Sequence, residues 1–135
     1  MREPVDWLGS WYRYRQRPAL NGHQNSTDGI SFDDFVAAYL RADQPPYADV
    51  GSQARFLTDS GGDLLVNHVF SYGDFPAAVR FLEQRLNCEI SLKPVNQSPK
   101  RDLVLSRELQ QELHERHALD FEIFAALQDG PLSVS

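Results

Sequence analysis

The sequence predicts an α/β protein, mostly helical, with short parallel strands. Three observations carry this. Apolar residues recur at helical spacing near the start, in the middle and near the end of the chain. One run, Leu64-Leu65-Val66-Asn67-His68-Val69-Phe70, has the length and character of a strand. A helix start follows that run directly, which is the strand-then-helix order of an α/β fold. With 135 residues, 41% of them apolar and 11% aromatic, the chain is expected to form one domain over 1–135 with a modest core.

At the N-terminus, Pro4 suits the first helical position, where its missing N–H costs nothing, and Glu3 can accept from the free amides behind it. A helix is therefore expected from Pro4. A helical period puts Trp7, Trp11 and Tyr14 on one face, expected to pack, and Asp6, Ser10, Arg13 and Arg17 on a polar, mainly cationic face opposite. Arg2 precedes this helix, where its charge opposes the positive end of the helix dipole unless an anion lies between them. That conflict points to a phosphate site.

Residues 21–29 hold turn formers without an apolar period and read as a loop. Ser31-Phe32-Asp33-Asp34 reads as an N-cap with an acid three residues on, opening a helix whose stripe at Phe32, Phe35, Val36, Tyr39 and Leu40 is expected to be core. Pro45-Pro46 prevents its continuation, and a short helix around Gln53 to Leu57 is expected to end at Ser60-Gly61-Gly62. Leu64 to Phe70 is expected to be a buried parallel strand, in which His68 is given no functional role. Asp74 can cap the next helix, with Pro76 in its first turn and an apolar face of Ala77, Val79, Phe81, Leu82 and Leu86. Cys88 to Leu92 reads as a weaker strand or extended segment. The loop Lys93 to Arg101 gathers Lys93, Lys100 and Arg101 around Asn96 and Ser98, so it is a second place for an anion. Ser106 opens a last helical region through Leu109, Leu113, Phe121 and Phe124, bent near His117 to Asp120 and ending before Gly130-Pro131; the tail from Leu132 is expected to fray. His114 and His117 stand three apart without a carboxylate or thiolate at a metal-site spacing, and no metal is expected.

A net charge of −6 and a pI near 5.1 argue against a general binder of nucleic acid or anionic membranes, which needs a long-range positive field. The lone Cys88 excludes an intrachain disulfide, and without a signal-peptide pattern a cytoplasmic location is expected.

Arg2-Glu3-Pro4, followed by Asp6 and by Ser10-Trp11-Tyr12, resembles the 3′-phosphate-binding motif of sulfotransferases that use 3′-phosphoadenosine 5′-phosphosulfate (PAPS). The resemblance extends through the Ser31 to Phe35 helix, Gln53 to Leu57, Val69-Phe70-Ser71-Tyr72 and Asn96-x-Ser98, with Gly73 standing where many relatives carry an acid. It implies that Arg2 ends a parallel strand and binds the cofactor's 3′-phosphate with Ser10, and that Asn96 and Ser98 lie close by. The implied chemistry is a bidentate guanidinium fork plus a hydroxyl donor.

That family opens with a strand, a phosphate-cradling loop and a helix upstream of this motif, and none of these is in the chain. The resemblance thus implies the C-terminal part of a P-loop-like sulfotransferase fold, binding the 3′-phosphate side of PAPS or its product PAP (adenosine 3′,5′-bisphosphate) but lacking the groups that stabilise the transferring sulfuryl. Its acceptor would be a hydroxyl-bearing sugar or small molecule in the complete protein, and self-association through uncovered apolar surface is expected. The alternative is a noncatalytic interaction domain that uses the Trp7, Trp11 and Tyr14 face.

Overall fold

A computed structural model describes residues 1–93 and 102–134. Its helices are α1 (Pro4–Arg15), α2 (Phe32–Tyr39), α3 (Gln53–Leu57), α4 (Phe75–Leu86), α5 (Arg107–Arg116) and α6 (Ala118–Ala126). Two short strands, β1 (His68–Val69) and β2 (Leu132–Ser133), pair antiparallel with His68 opposite Ser133 and Val69 opposite Leu132. The protein is mostly helical with one small sheet, so it is α/β only in a loose sense. Among the described residues no helix is long and apolar enough to cross a membrane.

The helix starts follow local chemistry. Glu3 accepts from Asp6 N at 2.8 Å, with Pro4 as the first residue of α1. Ser31 Oγ accepts from Asp34 N at 3.0 Å and donates to the Asp34 carboxylate at 2.7 Å. Asp74 Oδ1 accepts from Ala77 N at 3.3 Å to open α4, which closes on Asn87 in the left-handed conformation (φ 51°). Each cap satisfies an amide that the helix itself leaves unpaired.

The core is built on α2. Phe35 and Val36 are fully buried, and Phe32, Tyr39 and Leu40 complete the stripe. Leu8 and Tyr12 reach it from α1, Leu113 from α5 and Leu105 from just before α5. The packing face of α1 differs from the expected one. Pro4, Leu8 and Tyr12 go deepest, whereas Trp7 and Trp11 lie partly buried at the edge of the core and Tyr14 is exposed. The reason is geometric. Residues 4, 8 and 12 form an i, i+4 ridge that fits against α2, and the bulkier indoles cover its flank.

Long-range polar contacts fix the connections. Thr27, fully buried, donates to Tyr12 O at 2.8 Å and so pins the 21–29 loop to α1. Ser106 does not cap α5 with its own side chain; its N–H is instead held by Asp33 Oδ1 at 3.0 Å, from the first turn of α2. The bend between α5 and α6 falls at His117.

The 64–70 segment is not a strand buried on both faces. Only His68 and Val69 form a strand, its ladder is antiparallel, and Leu65 is 69% exposed. Leu64 instead bridges Thr58 in an antiparallel pair around a turn that Asp59 organises by accepting from Gly61 N and Asp63 N. The glycine pair thus serves this turn rather than ending α3, which stops at Leu57. The C-terminal tail is not frayed at Leu132–Ser133, because β1 captures it and Val134 N donates to Asn67 O at 2.9 Å. Cys88 to Leu92 forms no strand and is mainly exposed. The expected apolar face of α4 is only partly covered: no residue of this helix is fully buried, Ala77, Val79 and Phe81 are half-buried, and Leu82 and Leu86 are exposed.

A buried titratable cluster joins three helices. The Tyr39 hydroxyl donates to Gly51 O at 2.9 Å, so its 3.4 Å contact with His117 Nδ1 requires the ring nitrogen to carry the proton. The His117 ring also stacks on Tyr39, centroids 4.8 Å apart, and Asp120 Oδ1 accepts from Ala54 N at 3.1 Å. Burial lowers the His117 pKa despite Asp120, and burial raises that of Asp120 despite its amide contact. The two groups pull in opposite directions. Neutral His117 contributes stability that is present above the ordinary histidine value of 6.5 and lost as pH falls below it. Asp120, with its raised value, makes the fold gain stability as acidification protonates it. Melting temperatures measured from neutral to mildly acidic pH should therefore fall less steeply in His117→Asn than in the parent and more steeply in Asp120→Asn. Parallel profiles for all three would disprove the linkage.

Candidate functional site

The candidate site lies where the chain enters α1. Met1 N donates to Phe70 O at 2.6 Å and Tyr72 N donates to Met1 O at 2.7 Å. Met1 is thus bonded to both residues that flank Ser71, whereas the strand pair and the isolated bridge among the described residues are antiparallel. Arg2 N–H and C=O then point to the opposite side, as alternation along an extended chain requires. There the Gln53 carboxamide meets both: Arg2 N donates to Gln53 Oε1 at 2.8 Å and Gln53 Nε2 donates to Arg2 O at 2.9 Å. Gln53 is buried, so this pairing is shielded from competing water.

The Arg2 side chain has two neighbours. Its guanidinium carbon lies 3.8 Å from the centroid of the Tyr72 ring, and NH1 is 3.8 Å from Asp6 Oδ2. Asp6 Oδ1 in turn lies 3.8 Å from Arg13 NH2. The Asp6 carboxylate therefore lies between two guanidiniums. Arg13 folds back over Gly9, where an added Cβ would sit 3.5 Å from its NH1. Ser10 follows Asp6 by four residues on the same face of α1, half-buried and with no side-chain hydrogen bond among the described residues.

Of the sequence-predicted site residues, Arg2 reaches Asp6 from the segment that precedes α1, and Ser10 stands one turn beyond Asp6 on that helix. Asn96 and Ser98 lie outside the described residues, as do Lys100 and Arg101. The sequence pattern gives Gln53 and Tyr72 no role in the site, although both belong to segments that carry the resemblance. Asp6 and Arg13 lie together on α1, as helical spacing predicts. Gly73 N, at the position that departs from the resemblance, bonds to Ser71 Oγ at 3.2 Å within a 3-10 turn.

The aromatic face beside the site is occupied internally. Trp7 and Trp11 meet edge to face at 6.3 Å, as do Trp11 and Tyr14 at 5.9 Å, while Arg15 and Arg17 lie over Trp11 and Tyr14. His114 and His117 do not converge: the first packs on Phe121 and the second on Tyr39. Among the described residues no group of three or more His, Cys, Asp or Glu is placed to hold a metal ion.

No family model, curated protein or solved structure matches this chain.

The Gln53 clamp is testable. Gln53→Leu keeps most of the volume but strands the Arg2 N–H and C=O, and it should cost about 1–3 kcal/mol in a denaturant melt. A cost below about 0.5 kcal/mol, within the range of ordinary surface substitutions, would show that water replaces the amide and that the clamp does not position Arg2.

Proposed function

We propose that the chain carries the 3′-phosphate-binding portion of a PAPS-dependent sulfotransferase fold, with Arg2 and Ser10 as phosphate ligands. The single observation that carries this is the pair of bonds that ties Met1 to the Phe70 and Tyr72 backbone, because it is in keeping with the implied arrangement of an arginine leaving a paired, extended segment directly before a helix. Asp6 between Arg2 and Arg13 adds to it, since two half-buried guanidiniums converging on one carboxylate make a position suited to a phosphate. Asn96 and Ser98 are retained as further ligands on the resemblance alone. The family reaction moves a sulfuryl group from PAPS to a hydroxyl acceptor. What these residues supply to it is binding and orientation of the nucleotide, through charge-assisted contacts to the 3′-phosphate.

The interaction-domain alternative draws on less. Its rings contact one another and the flanking arginines, and only Tyr14 among them is exposed. The exposed part of α4, with Phe75, Leu82 and Leu86, is in keeping with a partial domain whose cover lies elsewhere, and self-association through that face is part of the proposal.

Calorimetry with PAP tests the site. Weak binding is expected, reduced by about 1.5–3 kcal/mol in Arg2→Ala. Asp6→Asn should bind more tightly, because it removes the anion that competes for the guanidiniums while keeping the side-chain shape. Binding indifferent to Arg2→Ala would rule out the assigned role. With PAPS and a panel of hydroxyl acceptors, the chain by itself should give no transfer above buffer, because a sulfuryl in transit needs donors on its oxygens that the Arg2 and Ser10 site does not supply. Turnover that persists through purification would overturn the partial-domain proposal.

A further inference from the structure

A second site lies between α4 and the β1–β2 ladder and shares no residue with Arg2 and Ser10. It is an open cleft of about 420 Å³, within the size range of small-ligand pockets and too large for an inorganic anion alone. Its floor is aromatic: the Phe81 ring meets His68 at 4.6 Å and Phe70 at 5.3 Å between centroids. Its polar groups are Arg80, Gln84 and the cross-strand pair His68 and Ser133, whose Nδ1 and Oγ are 3.1 Å apart. Among the described residues no carboxylate lines it, in a chain whose net charge is −6. Among the described residues Arg80 has neither an ion-pair partner nor a side-chain hydrogen bond. The cleft therefore offers one uncompensated cation beside flat apolar rings.

We propose that this cleft binds a planar aromatic anion, of the aryl carboxylate class. The ligand's rings lie against Phe81 and Phe70, where offset or edge-to-face contact is favourable. Its carboxylate takes the Arg80 fork, with the Gln84 amide and the Ser133 hydroxyl as additional donors. Both parts are required for selectivity. An aliphatic anion forgoes the ring contacts, and a neutral arene leaves the guanidinium without its anion.

The probe is naphthoate, titrated into the full chain and followed by the amide resonances of His68, Phe81 and Ser133. A saturable shift with Kd of about 1 mM or tighter is expected, in line with the ligand's size. Arg80→Gln, an exposed substitution, should weaken binding about tenfold or more, and naphthalenemethanol should bind the parent chain about tenfold more weakly than naphthoate. The second comparison needs no variant, so the proposal can fail even if Arg80→Gln does not fold. No saturable shift up to about 10 mM, equal affinity for naphthalenemethanol, or shifts centred on Arg2 and Ser10 in place of His68 and Phe81 would each overturn it. Loss of PAP binding in Arg2→Ala leaves this outcome unaffected, so the two sites are tested separately.

Discussion

The extended dipeptide Met1-Arg2 is hydrogen-bonded along both edges, and the geometry of the candidate site depends on that. Met1 is bonded to the Phe70 and Tyr72 backbone on one side, and Arg2 to the Gln53 carboxamide on the other. A backbone held from both sides has little freedom left, so the entropy of placing a long arginine side chain falls mainly on its own rotamers. Those too are restricted, by the Tyr72 ring and by Asp6. The result is a cation placed near the positive end of α1, a position that the Tyr72 ring and the Asp6 carboxylate make less unfavourable.

Much of the helical framework was legible because the interactions that start these helices are local. Glu3 with Asp6, Ser31 with Asp34 and Asp74 with Ala77 each join a cap to an amide three residues on, and a reader of the sequence sees both members. The core stripe of α2 was legible for the same reason, since one period places all its members on one side. The start of α5 was located at Ser106 but its mechanism was not, because the acceptor is Asp33, 73 residues earlier. Asp120 holding Ala54 N is likewise invisible to any local window.

The strand was the weakest inference, and its failure has a physical cause. A short apolar run between glycines is compatible with a strand buried on both faces and with an edge ribbon, and periodicity does not separate them. Here Leu65 and Asn67 face outwards, and the pairing partner is a tail that composition alone marked for fraying. The candidate site divides along the same line. Asp6, Ser10 and Arg13 share a helical face that spacing reveals, whereas Tyr72 and Gln53 reach Arg2 only after the chain has folded.

Helix α4 differs from the others in that none of its residues is buried. Its termini are well made, with Asp74 at one end and left-handed Asn87 at the other, yet capping holds only the ends of a helix. With so little apolar burial linking it to the core, α4 can unwind without disturbing the Phe35 cluster, and its opening free energy lies below that of the whole domain. Amide hydrogens along this helix would accordingly exchange with solvent through a private, local opening, while those of α2 wait for global unfolding.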